Sequence, residues 1–277
     1  MSNTESNTEK PIFKQSISLS ENSEYISNDI STARSAFLTL PVVIQTALDQ
    51  AKRVVLIANN PAVTTTQLEM LLQPDDVLVL FNHFIHADFL ANHQLASSLP
   101  KLLFFRQIGN SKLHFGLPPR SNHISVMEQM LETAPLGILT SNQPYQFPTL
   151  ADDPSPSDDP ITITAHRILD IPSRMKKLLS STIYHSVLSE HHKVVADYPC
   201  FTDIHSSAPS SGFLLYRLML AARAYLHHIQ NTKLPLEIVM IGFNDNDKTA
   251  HFWHGHNWDF ERQEMSRPPT GVTIHRY

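Results

Sequence analysis

One stretch decides the fold class: Arg53-Val54-Val55-Leu56-Ile57-Ala58, a run of β-branched and apolar residues that ends at the polar turn Asn59-Asn60-Pro61. A continuous apolar strand of this kind is typical of a strand buried on both faces of a parallel sheet. A helix is predicted over residues 65–72, and after a turn a second apolar strand follows, Val77-Leu78-Val79-Leu80-Phe81. Strand, helix and strand within ~30 residues have the size of a βαβ unit. The sequence therefore predicts an α/β fold with a mainly parallel sheet.

Further elements are predicted on both sides of this unit. Strands are expected at residues 101–105, 136–139 and 236–241. Helices are expected over residues 31–50 with an interruption at Pro41, over residues 173–189, and from Ser210-Ser211-Gly212 as far as Leu226. Residues 1–30, rich in Ser, Asn, Thr and Glu, are predicted to form a flexible tail. Residues 31–277 are predicted to form one domain, in which the Pro- and Asp-rich residues 147–160 make a surface loop.

Composition excludes several classes of protein. The chain has 277 residues, of which 42% are hydrophobic and 17% charged, so it can bury a sizeable core. Its formal net charge of −5 gives no general attraction to nucleic acid or to anionic lipid. The single cysteine, Cys200, excludes an internal disulfide and fits a reducing compartment. Because no signal peptide and no spanning segment are recognisable, we expect a soluble or peripheral protein in a reducing compartment such as the cytoplasm.

Three places along the chain carry candidate functional residues. The first is formed by Asn59, Asn60 and Asn82, which follow two predicted neighbouring strands, where ligands bind in doubly wound sheets. An Asn amide can donate to and accept from a nucleotide, but it also caps turns. The second is Ser210-Ser211-Gly212 at a helix start, where free N–H groups attract a phosphate, although Ser at a helix start is also an ordinary N-cap.

The third place is the C-terminal histidine cluster, His251, His254 and His256, followed by Glu261. One interpretation is a metal site in which His254 and His256 act with a carboxylate, although the spacing differs from that of a helical zinc motif. Another is a catalytic loop in which one histidine acts as acid or base at neutral pH and a carboxylate orients it. A plain aromatic and polar surface loop is the third interpretation.

Taken in order, these places resemble the motifs of the sialyltransferase family. Residues 54–61 and 76–82 are similar to the large sialylmotif, in which two strands end in Asn-containing turns. Residues 209–212, with the helix and the strand that follow, are similar to the small sialylmotif. His256 and Glu261 have the spacing of the His and Glu in the very short motif. The resemblance extends from about residue 52 to residue 262 and is concentrated in these three short segments.

This resemblance implies a Rossmann-like α/β/α sandwich, the sialyltransferase variant of the GT-A-like fold. It implies a bacterial-type inverting glycosyltransferase that uses CMP-sialic acid or CMP-Kdo as donor and a glycan or a lipid-linked oligosaccharide as acceptor, with no metal and no further cofactor. The residues that it assigns are Asn59, Asn60 and Asn82 as contacts of the nucleotide, Ser210, Ser211 and Gly212 as the lining of its pocket, His256 as the catalytic base, and Glu261 as the residue that holds the loop or the histidine.

Two other functions stay open at this point. A metal-dependent hydrolase would use the C-terminal histidines. A nucleotide-binding protein without catalysis is the second alternative, because Ala58-Asn59-Asn60 stands where the family commonly has a glycine-flanked Asn. His251 and His254 also compete with His256 for the role of base.

Overall fold

The computed structural model describes residues 29–82, 84–105, 130, 132–141, 183–185, 193–195, 197–199, 209–230, 235–244 and 256–277. The predicted surface loop at 147–160 and most of the predicted tail lie outside these residues. The first described helix begins at Ile30, the last residue of the predicted tail. Within the described part of the chain, no helix is both long and apolar enough to cross a lipid bilayer.

Among the described residues, seven strands form one sheet, and every neighbouring pair in it is parallel. They are β1 (Arg53–Ile57), β2 (Asp76–Phe81), β3 (Lys101–Phe105), β4 (Leu136–Ser141), β5 (Ile183–His185), β6 (Glu237–Ile241) and β7 (Val272–His275). Their order is β5-β4-β3-β2-β1-β6-β7. The strands that follow β1 in sequence extend to one side as far as β5, and β6 then returns to the other side of β1. The strand order therefore reverses between β1 and β6, and the predicted parallel sheet is confirmed.

The described helices are α1 (Ile30–Leu38), α2 (Val42–Gln50), α3 (Thr65–Leu71), α4 (Ala87–Asn92), α5 (Gln94–Ser98), α6 (Ser211–Gln230) and α7 (Trp258–Met265). Pro41 directly precedes α2 and separates it from α1, as predicted, because proline suits a helix start and interrupts a helix interior. Thr64 and Gln67 form a reciprocal capping box at the start of α3. These local signals explain why the sequence predicted both helix starts.

Two hydrophobic cores lie on opposite faces of the sheet. Val54 and Leu56 contribute to one core, whereas Val55 and Ile57 contribute to the other, because successive strand side chains point to opposite faces. The first core includes residues of α1, α2, α6 and α7, and the second includes residues of α3, α4 and α5. The predicted α/β/α sandwich is therefore the observed architecture.

The helix predicted over residues 173–189 is wrong at residues 183–185. These residues form β5, which pairs in parallel with β4 through Leu139↔Ile183 and Thr140↔Tyr184. Ile and Tyr are types that strands favour, and pairing with a neighbouring strand overrides a helical preference. Such a short edge strand has too few residues to show an alternation of its own.

Candidate functional site

The carboxyl ends of β1, β2 and β6 meet where the strand order reverses, which is the place where open α/β sheets bind their ligands. The N-terminus of α6 lies at the same edge, since Nδ2 of Asn82 donates to Oγ of Ser211 over 3.2 Å. Asn82 directly follows β2, and Ser211 is the first residue of α6. The structure thus joins two residues that the sequence singled out separately, 129 positions apart.

Asn59 and Asn60 use their amides inside the fold. Asn59 donates from Nδ2 to the carbonyl oxygen of Phe81 over 2.7 Å, and its Oδ1 accepts from the N–H of Ile85 over 3.0 Å. Asn60 donates to the carbonyl oxygen of Gly242 over 3.0 Å. These bonds tie the end of β1 to the ends of β2 and β6. Asn59 and Asn60 therefore hold the three strand ends together. A ligand that contacted their amides would have to share atoms that already make hydrogen bonds within the chain.

Asn82 is different, because part of its amide is left unused. Its backbone has φ of 56°, in the left-handed region that residues with a side chain seldom adopt. Its Oδ1 is shielded from solvent, and none of the described residues donates to it. Leaving such an acceptor unbonded costs ~1–3 kcal/mol, and backbone strain is often found at functional sites. Asn82 is thus a candidate to accept a hydrogen bond from a ligand.

The N-terminus of α6 combines a side-chain cap with two backbone N–H groups that face outward from the first turn. Oγ of Ser210 accepts from the N–H of Phe213 over 3.1 Å, which makes Ser210 the N-cap. In the described part of the chain, nothing accepts from the N–H groups of Ser211 and Gly212. Together with the positive end of the helix dipole, these two N–H groups are suited to an anion such as a phosphate.

Gly212 is required by packing within the chain itself. A Cβ at this position would lie 2.7 Å from Cε1 of Phe243, closer than two carbon atoms can approach. The side of Gly212 that lacks a side chain is therefore filled by the Phe243 ring, which follows β6. Glycine here brings α6 close to the end of β6, and the part of Gly212 that a ligand could use is its N–H group.

Glu261 is buried, with 3% of its surface exposed, and both of its carboxylate oxygens accept hydrogen bonds. Oε1 accepts from the N–H of Ser210 over 2.7 Å and from the hydroxyl of Tyr198 over 2.9 Å. Oε2 accepts from Oγ of Ser210 over 2.6 Å. Of the roles that the sequence left open, this geometry favours holding the loop. Tyr198 was missed, since nothing in its local sequence marks it.

His256 lies two residues before α7. Its ring is 5.1 Å from that of Trp258, in an edge-to-face arrangement at 88°. The next residue, Asn257, is the N-cap of α7, since its Oδ1 accepts from the N–H of Phe260 over 3.1 Å. His251 and His254, the competing candidates, lie outside the described residues. Among those that are described, no group of three or more metal-ligating side chains is found.

A buried ion pair lies one to two turns along α6 from the N-terminus of that helix. Nη2 of the fully buried Arg217 donates to Glu264 and, over 3.0 Å, to Asp197. Burial raises the pKa of Glu264 to about 7 against the opposing effect of Arg217, and the nearby carboxylates of Asp197 and Glu261 raise it further. This ion pair was not predicted from the sequence. An arginine within the otherwise apolar face of the predicted helix was the available signal, because an arginine is seldom buried unless it is paired.

No family model, curated protein or solved structure matches this chain. The fold class is established by the parallel sheet and by the two helical layers that cover it. The resemblance to sialyltransferases rests on the three short sequence segments, which the structure brings to one edge of the sheet wherever it describes them.

Proposed function

We propose that the protein is a CMP-sugar-dependent glycosyltransferase that moves a sugar acid, sialic acid or Kdo, to a glycan acceptor with inversion of configuration. The observation that carries this proposal is the Asn82–Ser211 hydrogen bond at the switch point of the sheet. It joins the segment that resembles the large sialylmotif to the segment that resembles the small one. A glycan or lipid-linked oligosaccharide as acceptor, and action in the cytoplasm or at the inner membrane surface, belong to the same proposal.

Departure of CMP is supported by donors that are already in place. As the bond between the anomeric carbon and the phosphate oxygen breaks, the phosphate takes the electron pair and gains negative charge. The N–H groups of Ser211 and Gly212 at the start of α6 stabilise this charge without reorganisation. Oδ1 of Asn82 accepts from a donor on the nucleotide, such as a ribose hydroxyl.

His256 serves as the general base in this proposal. The acceptor hydroxyl attacks the anomeric carbon from the face opposite CMP, and its proton passes to a neutral imidazole nitrogen. A new bond between carbon and the acceptor oxygen replaces the bond to the phosphate, and the configuration inverts. The backbone next to His256 is held in place, because the N–H of the following residue, Asn257, donates to Tyr198 over 2.6 Å.

Nucleotide binding is the first test. Calorimetry on EDTA-treated protein should show binding of CMP, with UMP and AMP bound more weakly. Selective binding without metal then justifies turnover assays with CMP-sialic acid and CMP-Kdo on glycan acceptors. Absence of CMP binding, together with zinc in the untreated protein, would contradict the proposal and favour a metal-dependent hydrolase. Selective CMP binding with no turnover of either donor would favour the non-catalytic alternative.

Turnover of His256→Ala tests the base. We expect a loss of ~10²-fold or more in kcat with CMP affinity retained. His228→Ala is a matched control, because His228 is exposed in the last turn of α6, far from its N-terminus. Near-normal turnover of His256→Ala would move the role of base to His251 or His254, whose alanine variants belong in the same assay.

A further inference from the structure

Tyr198 occupies a central position between the two helices of the candidate site. Its hydroxyl donates to Oε1 of Glu261 over 2.9 Å and accepts from the N–H of Asn257 over 2.6 Å. The residue is 5% exposed, so these bonds form away from bulk water. One hydroxyl group thus contacts both the residue that follows His256 and a carboxylate one turn further along α7.

Glu261 extends this connection to the N-terminus of α6. It accepts from both the N–H and the Oγ of Ser210, and Ser210 in turn caps α6. The bonds therefore lead from Asn257 through Tyr198 and Glu261 to Ser210. One end of this series adjoins the candidate base, and the other adjoins the N–H groups that are suited to a phosphate.

The ring of Tyr198 is held independently of its hydroxyl. It packs against Phe260 with ring centroids 5.3 Å apart and against Phe213 at 5.8 Å. The preceding residue, Asp197, accepts from Nη2 of Arg217 over 3.0 Å. These contacts hold the Tyr198 side chain in one orientation even without its hydrogen bonds. The side chain therefore loses little further conformational entropy when its hydroxyl forms those bonds.

We infer that Tyr198 is a positioning residue, whose hydroxyl fixes the segment 256–257 relative to the N-terminus of α6. The inference rests on the proposed function where it takes His256 as the base. Correct placement of a base relative to the reacting centre determines turnover more than donor affinity, because a misplaced group loses effective concentration. Tyr198 thus acts through His256, whereas the proposed nucleotide contacts lie at the start of α6 and at the end of β2.

Tyr198→Phe removes the hydroxyl and retains the ring. Its matched control is Tyr225→Phe, in which the ring that packs on Phe37 at 5.2 Å is also kept. We expect the backbone amide of Asn257, followed in a peptide that begins at residue 255 or earlier, to exchange its hydrogen ~10-fold faster or more in Tyr198→Phe and at an unchanged rate in Tyr225→Phe. We also expect kcat to fall ~10-fold while KM for the CMP-sugar changes less than ~2-fold.

Glu261→Gln provides a second variant that is expected to rescue the arrangement. Its amide carbonyl can still accept from Tyr198 and from the N–H of Ser210, and its NH2 can donate to Oγ of Ser210. Slow exchange of the Asn257 amide in Glu261→Gln, with fast exchange in Glu261→Ala, would support positioning by hydrogen-bond geometry. Equally slow exchange in both variants would overturn the part of the inference that includes Glu261.

Failure of this inference is distinguishable from failure of the proposed function. Unchanged exchange in Tyr198→Phe overturns the inference, whatever the activity. Faster exchange with unchanged kcat also overturns it, because the segment would then be held without consequence for turnover. A wild-type protein that neither binds CMP nor turns over a CMP-sugar contradicts the proposed function, while the exchange rates still decide whether Tyr198 fixes the segment.

Discussion

Two ion pairs, the partly buried Arg53–Asp76 and the buried Arg217–Glu264, lie in different parts of the molecule and differ in how many of their polar atoms make hydrogen bonds. Nε and Nη2 of Arg53 donate to the two carboxylate oxygens of Asp76 over 2.8 and 2.7 Å. Nη2 also donates to the carbonyl oxygen of Leu71. In the second pair, Nε and Nη1 of Arg217 and Oε1 of Glu264 have no hydrogen-bond partner among the described residues.

The difference follows from position. Arg53 and Asp76 are the first residues of β1 and β2, at the amino edge of the sheet, where the pair closes a turn. Arg217 and Glu264 join α6 to α7 behind the candidate site, and Asp197 competes with Glu264 for the same guanidinium. A buried pair stabilises the fold only when its geometry is complete. The first pair is therefore expected to contribute to stability, and the second to impose a cost near the site.

Neutralising one carboxylate in each pair gives the largest expected contrast. Asp76→Asn leaves Arg53, whose side chain is 13% exposed, without its counter-charge, and should lower the free energy of unfolding by ~3 kcal/mol. Glu264→Gln should leave stability at pH 7 unchanged or increase it, because Arg217 keeps Asp197 as partner. Denaturant unfolding of both variants measures the contrast. Equal losses in the two variants would show that the pairs are energetically alike.

The pH dependence of stability sharpens the same comparison. Burial raises the pKa of Glu264 to about 7 from 4.5, so the folded state binds more protons than the unfolded state between these values. Stability from this group is therefore fully present below pH 4.5 and is lost as pH rises through 7. Relative to Glu264→Gln, the wild type should lose ~3 kcal/mol between pH 4.5 and 7.5. A constant difference across that range in urea titrations would contradict the raised pKa.

The parts of the fold that the sequence predicted are those whose signals are local. Residues 53–57 and 76–81 could be identified because a buried parallel strand is apolar along its whole length. The helices Ala87–Asn92 and Gln94–Ser98 were not predicted, since helices of this length show little periodicity. The strand Val272–His275 was missed because it alternates weakly, with only its first residue buried.

The residues of the candidate site could be predicted from the sequence, but the contacts among them could not. Asn82 and Ser211 could be selected from strand ends and a helix start, yet their hydrogen bond depends on the strand order. The contact between Tyr198 and Glu261 spans 63 positions and has no local signature. The use of the amides of Asn59 and Asn60 within the fold could also not be foreseen, because it depends on how closely the strand ends approach one another.

Replacing Asn82 with alanine distinguishes its proposed role in nucleotide binding from the common role of Asn in a turn after a strand. The variant loses both the bond to Ser211 and the free Oδ1, and CMP affinity should fall ~10-fold. Asn92→Ala serves as control, because Asn92 donates to the carbonyl oxygen of Asp88 on α4, within an exposed contact. Calorimetric titration with CMP compares the two. Unchanged affinity in Asn82→Ala would remove this residue from the site.

The two ends of β2 offer the smallest but most selective comparison. Asp75 precedes the strand with φ of 70°, and Asn82 follows it with φ of 56°, so both have left-handed backbone that glycine adopts without strain. Asp75→Gly should therefore change the free energy of unfolding by less than ~1 kcal/mol, because the relief of strain offsets the greater freedom of the unfolded chain. Asn82→Gly should have an effect of similar size, because removal of the unbonded Oδ1 compensates for the lost hydrogen bond to Ser211. Their effects on CMP binding should differ, since only Asn82 offers a polar side chain to the site. Retained CMP affinity in Asp75→Gly with a ~10-fold loss in Asn82→Gly would assign the effect to the side chain of Asn82. An equal loss in both variants would instead attribute binding to the backbone geometry of β2 and of the turns at its ends.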